Sequence, residues 1–210
     1  MKAKRIILVR HGESEGNVEG TIYETTPDYA LKLTEKGRKQ AHNAGHKINE
    51  LIGTESIYSY ISPFHRTRQT FAEIKAVLGD KNVSVIEDSR IREQDWGNLR
   101  SYDEEKRIMK ERGEYGIFYF HIAHGESGAN VFDRTSTFFE TVHQDFLKPD
   151  YPENILIVTH GVTLRILLMR ALHWTVEEFE DMFNPENCEI FVLELNDKGE
   201  YELANALRKE

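Results

Sequence analysis

Two histidines in this chain each close a run of aliphatic residues and precede a glycine. The first ends Ile6-Ile7-Leu8-Val9-Arg10-His11-Gly12, the second Ile155-Leu156-Ile157-Val158-Thr159-His160-Gly161. Such runs read as buried strands, and open α/β sheets bind their ligands beyond the carboxyl ends of their strands. Two imidazoles delivered there, with Arg10 beside the first, would converge at one edge of a sheet. A third piece, Ser62-Pro63-Phe64-His65-Arg66-Thr67-Arg68-Gln69-Thr70, sets an arginine in the first turn of a helix. A cation there opposes the helix dipole, so an anion is expected beside it. Arg92-Glu93 follows a short apolar strand and brings a carboxylate to the same region, although Glu87, Asp88 and Asp95 lie near enough in sequence to serve instead.

Imidazole, guanidinium and carboxylate together suit phosphoryl transfer, which needs an in-line nucleophile and positive charge around the equatorial oxygens. His11 would attack as a neutral imidazole and form a phosphohistidine, dividing one hard step into two. Arg10, Arg66 and a protonated His160 would oppose its protonation. The two arginines can clamp phosphate oxygens in a fork that lysine cannot reproduce. His160 would hold developing charge from the opposite side, with the backbone N–H of Gly161, at a helix start, as a further donor.

Arg10-His11-Gly12, the Ser62…Arg66…Thr70 spacing, Arg92-Glu93 and Thr159-His160-Gly161 occur in this order, each at the end of an expected element. In these pieces, and over nearly its whole length, the chain resembles the histidine phosphatase superfamily, also called phosphoglycerate mutase-like proteins. The resemblance selects Glu93 as the general acid that protonates the departing alkoxide and then activates water. It implies that Asn17 donates an amide hydrogen bond to the same phosphate. It also sets Gly125-Glu126-Ser127 at the junction of a cap with a helix, where Glu126 and Ser127 would touch substrate. It implies no metal and no cofactor. In the mutase branch the segment after the acid is longer and adds basic contacts; here Asp95-Trp96-Gly97-Asn98-Leu99-Arg100 leads into a short cap with an aromatic cluster. The expected activity is therefore that of a metal-independent, histidine acid-type phosphatase acting on a small phosphomonoester. The alternatives are a cofactor-dependent phosphoglycerate mutase and a non-catalytic phospho-ligand-binding module.

Strand-like and helix-like segments alternate along the chain, which favours an α/β layered fold. Strands are expected at 5–10, 56–61, 83–86 and 154–159, with a C-terminal hairpin of 188–195 and 201–203. Helices are expected from Thr34 to Ile52, after Ser62-Pro63, over 101–112, over 127–147, over 163–173 and near 175–182, with a loop over 18–33. With the resemblance this gives a three-layer sandwich: a mostly parallel central sheet flanked by helices, in a single domain over 1–210 with 95–126 inserted as a cap.

A formal charge of −9 over 210 residues argues against a nucleic-acid partner. One cysteine, Cys188, excludes an internal disulfide and suits a reducing compartment. The four-residue apolar run before Arg10 is too short for a signal peptide or a membrane span, so a cytoplasmic, soluble protein with no membrane partner is expected. His124-Gly125-Glu126-Ser127 imitates His11-Gly12-Glu13-Ser14 but lacks the arginine and the aliphatic strand. His42 and His46 have the spacing of a metal pair without a third ligand and read as a solvated face. Tyr115 to Phe120 would pack the cap onto the core or line an apolar pocket.

Overall fold

The structure is a computed structural model that describes residues 2–97 and 101–205. Asn98, Leu99 and Arg100 of the expected cap lie outside the described residues. One six-stranded sheet organises the fold. Its strands are β1 (Arg5–Arg10), β2 (Ile57–Ile61), β3 (Asn82–Glu87), β4 (Asn154–Thr159), β5 (Ile190–Leu195) and β6 (Tyr201–Leu203), in the spatial order β3-β2-β4-β1-β5-β6. The first four run parallel and the C-terminal hairpin β5-β6 adds two antiparallel strands at one side.

The two aliphatic runs are neighbours. Val9 pairs with Val158 and Arg10 with Thr159, so β1 and β4 end in step and release His11 and His160 side by side. Successive side chains of a strand point to opposite faces, and here both faces are covered. Ile6, Leu8, Ile155 and Ile157 pack with Phe138, Val142, Leu164 and Leu167. Ile7, Val9, Leu156 and Val158 pack instead with Ile48, Phe71 and Ile74. Double coverage explains why these strands are continuously apolar rather than alternating.

The covering helices are α2 (Glu35–Ile52) and α3 (His65–Leu78) on one face, and α5 (Gly128–Asp145) and α6 (Gly161–Leu172) on the other. A short α1 (Glu15–Val18) follows β1, α4 (Tyr102–Tyr115) forms the cap, and α7 (Val176–Glu180) follows α6. Thr34, Ser101, Ser127 and Thr175 each accept a backbone N–H and cap α2, α4, α5 and α7. By contrast, Phe64 and His160, at the starts of α3 and α6, provide no such side-chain bond. The two helices that open onto the histidines thus keep N-terminal donors for other partners.

The structure moves several expected boundaries. The segment read as a loop over 18–33 contains 3-10 turns at Gly20–Glu24 and Asp28–Ala30. Helix α3 begins at His65 because Ser62-Pro63-Phe64 is still extended into the turn, and α6 begins at Gly161 rather than Thr163. Strand β5 begins at Ile190 because Cys188 takes a left-handed backbone conformation, φ 57°. Phe118 is buried against Val131, Val162, Ile166 and Phe179, whereas Tyr115 and Tyr119 face solvent, so the aromatic segment is anchored by one ring. Among the described residues no helix is long and apolar enough to cross a membrane.

Candidate active site

His11 leaves the tip of β1 and is 3% exposed. Its Nδ1 lies 2.7 Å from the carbonyl oxygen of Gly12. A carbonyl only accepts, so the ring proton belongs on Nδ1 and Nε2 carries the lone pair. Arg66 Nε–H donates to that Nε2 at 3.2 Å. Burial first, and then the guanidinium groups of Arg66 and Arg10, hold the imidazole well below its ordinary pKa of 6.5, against the opposing pull of the Gly12 carbonyl. The Nε2 lone pair of His11 is thus turned toward the Arg66 guanidinium. Gly12 is required by close approach: a Cβ there would meet the Gly37 carbonyl oxygen at 2.4 Å.

His160 is fully buried, its ring centre 5.3 Å from that of His11 and inclined at 64°. Its Nε2 lies 2.7 Å from Ser62 Oγ, which also receives the Phe64 N–H at 3.4 Å. With that bond accepted, the Ser62 hydroxyl is free to donate to Nε2, and this leaves the imidazole proton on Nδ1. Nδ1 is buried with no hydrogen-bond partner. Burial, Arg66, His11 and Arg10 in turn push its pKa well below 6.5. Burial, and after it the positive charge of Arg66 and Arg10, thus disfavours the protonated form expected for His160.

Arg10 donates through Nη1 to the Pro185 carbonyl, while its buried Nε has no partner. Burial lowers its pKa, with Glu93 opposing and Arg66 adding to the effect. Arg66, 4% exposed, reaches in from the first turn of α3. It lies over the Phe64 ring at 5.0 Å and is gripped by Asp28, whose carbonyl accepts from Nη1 at 2.7 Å and whose carboxylate sits 2.9 Å from Nη1.

Glu93 reaches the start of α6. Its Oε1 accepts from the backbone N–H of Gln94 at 3.0 Å and of Thr163 at 3.2 Å, and its Oε2 lies 3.4 Å from the Val162 nitrogen. Asn17 Oδ1 accepts from Ser14 N at 3.0 Å and from Asn187 Nδ2 at 3.2 Å. Those bonds fix the amide and leave its NH2 group as the outward donor. Asn187 also donates to the His11 carbonyl at 3.2 Å, tying Asn17 to the histidine loop. Gly161 stands directly after His160 as the first residue of α6, and a Cβ there would meet Asn184 Oδ1 at 2.4 Å.

Glu126 and Ser127 stand at the junction of the cap with α5, as expected, with their polar atoms bonded to protein groups. The Ser127 hydroxyl caps α5 in a reciprocal box with Asn130. The Glu126 carboxylate takes Arg92 at 2.6 Å, Arg134 at 3.0 Å and the Asp95 N–H at 3.1 Å. Burial raises its pKa, but the Arg134, Asp95 and Arg92 contacts outweigh this and draw it down. The Glu126 carboxylate joins the segment 92–95 to α5, whereas the Ser127 hydroxyl bonds Asn130 within the start of α5. His124 adopts φ 60° in a cap turn and lines a separate cavity with Trp96, Ile108 and Phe120. The His42 and His46 Nε2 atoms approach to 3.3 Å on the exposed face of α2, and no group of three metal-binding side chains occurs among the described residues.

Sequence reading missed Asp28, the Ser62 contact to His160, Thr163 beneath Glu93, and Asn187. Only Ser62 carried a signal, its place in the Ser62…Arg66…Thr70 spacing.

Comparison with known proteins decides the family. The sequence matches the histidine phosphatase superfamily (branch 1) over residues 6–206. The chain belongs to that superfamily. It is 43% identical to the phosphoglycerate mutase-like protein AT74 of Arabidopsis thaliana, across 96% of this chain and 68% of that one. It is 26% identical to the broad-range acid phosphatase DET1 of Saccharomyces cerevisiae, across 99% and 90%. A mycobacterial glucosyl-3-phosphoglycerate phosphatase, solved with VO3, superposes with a TM-score of 0.77 at 20% identity, covering 97% of this chain and 99% of that one. That likeness establishes the α/β fold of the superfamily for this chain.

Proposed function

We propose that this histidine phosphatase superfamily member hydrolyses small phosphomonoesters through a phosphohistidine on His11. The observation that carries the reading is a set of buried donors with nothing to donate to. His160 Nδ1 and Arg10 Nε have no partner, and both side chains adjoin the His11 ring electrostatically or by contact. Buried polar groups without partners are rare, and two of them near an imidazole lone pair that meets only the Arg66 Nε–H suit a tetrahedral anion.

In the first step His11 Nε2 attacks phosphorus and the bond from phosphorus to the ester oxygen breaks. Glu93 delivers a proton to that oxygen, and the alcohol leaves. In the second step Glu93 takes a proton from water as the water oxygen attacks phosphorus. The bond to His11 breaks and inorganic phosphate departs. Arg10, Arg66, His160, Asn17 and the Gly161 N–H hold the three equatorial oxygens throughout. The scheme uses no metal: the guanidinium groups carry the electrostatic stabilisation.

A mutase reading draws on Arg112 of α4, which is 7% exposed, bonds Gln94 at 2.7 Å and has an unpartnered Nε. A cap arginine of this kind could hold a substrate carboxylate. Hydrolysis is tested by release of phosphate from an aryl phosphate in the presence of a chelator. Wild type should be active there and His11→Ala slower by about 10⁴-fold. Activity that needs added metal, or survives in His11→Ala, overturns the scheme; strong stimulation of phosphoglycerate interconversion by bisphosphoglycerate would favour the mutase.

A further inference from the structure

Arg66 touches His11 through one edge and a carboxylate through another, and the steps above do not use that carboxylate. We propose that Asp28 is a positioning residue that occupies the end of the Arg66 guanidinium and so turns its side edge toward the phosphoryl group on His11. The proposal rests on the reading of His11 as the phosphate-accepting residue.

A guanidinium carries five N–H donors in one plane, and they form two distinct forks. The end-on fork uses Nη1 and Nη2; the side-on fork uses Nε and the other hydrogen of Nη2. Asp28 fills the first. Its carbonyl accepts from Nη1 at 2.7 Å and its Oδ2 accepts from Nη2 at 3.3 Å, while its Oδ1 stands 2.9 Å from Nη1 as an ion pair. What remains is Nε–H, 3.2 Å from His11 Nε2, and one Nη2–H on the same edge. That pair is the bidentate geometry that phosphate oxygens accept. Phosphorus bonded to Nε2 would lie in front of it.

Three contacts from a single residue fix the plane and the rotation of the group together, which one salt bridge to a flexible acid would not do. The arrangement is anchored on both sides. Asp28 opens the 3-10 turn Asp28–Ala30 after Pro27, Arg66 stands in the first turn of α3, and the guanidinium rests on the Phe64 ring. With the end-on fork satisfied, an incoming phosphate meets one orientation of Arg66 instead of several, and less ordering remains to be done on binding.

The test is a double-mutant cycle between Asp28→Asn and Arg66→Ala, read in two ways: titration calorimetry of inorganic phosphate, which needs no turnover, and kcat/KM on an aryl phosphate. Asp28→Asn keeps the size of the side chain but places an amide NH2 against the guanidinium. It should weaken phosphate binding and lower kcat/KM by roughly tenfold each. In the Arg66→Ala background the same change should alter either quantity by less than about twofold, because its target is gone. Additive losses, or an unchanged dissociation constant in Asp28→Asn, overturn the proposal. If Asp28→Asn does not fold, Asp28→Glu, which keeps the charge but displaces it by a methylene, should weaken phosphate binding in the same direction; unaltered binding there also overturns it. A wild type that binds phosphate with the expected cycle but turns over no ester refutes the phosphatase reading and leaves the positioning intact. A wild type that turns over while the cycle is additive does the reverse.

Discussion

At His11 the Gly12 carbonyl and the Arg66 Nε–H divide the two ring nitrogens between them, one marked as protonated and the other as a lone pair. The cost of that arrangement falls on acid stability. Both His11 and His160 are held well below 6.5 in the fold, and burial is the leading cause for each. Above pH 6.5 folded and unfolded chains both keep these rings neutral. As pH falls below 6.5 the unfolded chain takes up protons that the folded one refuses, so stability declines by at most about 1.4 kcal/mol per pH unit for each ring. Urea melts between pH 7 and pH 5 should show that decline, and His11→Asn should make it shallower; an equal slope in the variant would show that His11 is protonated in the fold. Glu93 has its own signature. Glu93→Gln should lower turnover of an alkyl phosphate by about 10²–10⁴-fold and of nitrophenyl phosphate far less, since nitrophenolate leaves without a proton. Equal losses on both substrates would remove Glu93 from the acid's role. His11, Arg66 and His160 were legible because each closes or opens an element with a marked sequence pattern. Asp28 was not, since a lone acid after Pro27 in a polar loop looks the same whether it holds an arginine or faces water.

Among the elements, helix starts separate structure from chemistry. Helices α2, α4, α5 and α7 are closed by their own Thr or Ser, while α3 and α6 begin after Phe64 and His160, with Arg66 in the first turn of α3 and Glu93 accepting from the first turn of α6. Ser127→Ala should therefore cost about 1 kcal/mol of stability, measured by denaturant melts, and leave kcat/KM within about twofold. A large kinetic loss without a stability loss would return Ser127 to the substrate. The first turn of α2 also braces the histidine loop: a Cβ on Gly37 would lie 2.0 Å from the Glu13 carbonyl oxygen. Backbone cannot yield as a side chain does, so Gly37→Ala should destabilise by about 3 kcal/mol and depress activity together; a silent substitution, read by thermal melts, would contradict the close approach. Gly161 was read as standing at a helix start, and α6 does begin there, two residues before the Thr163 from which the helix was expected to run. Tertiary bonding supplied by Glu93 from the preceding segment makes a cap unnecessary there.

For the whole molecule the decisive fact is strand order. The sequence pattern shows two aliphatic strands ending in His-Gly, but their pairing in step, Arg10 with Thr159, is a property of the assembled sheet. The flanking helices and the C-terminal hairpin follow from alternation and turn residues; the order β3-β2-β4-β1-β5-β6 depends on long-range packing that no local pattern encodes. The net charge of −9 leaves the molecule acidic as a whole, so the proposed phosphate ester would have to be held by Arg10 and Arg66 locally rather than by the general field. All of this converges on one nitrogen. The most direct measurement mixes the protein with a ³²P-labelled phosphomonoester, quenches in alkali, where phosphohistidine survives, and locates the label by mass spectrometry. The proposed chemistry predicts label on His11, lost on acidification and absent from His11→Ala. Hydrolysis that continues with no label on His11, or with label on another residue, would contradict it.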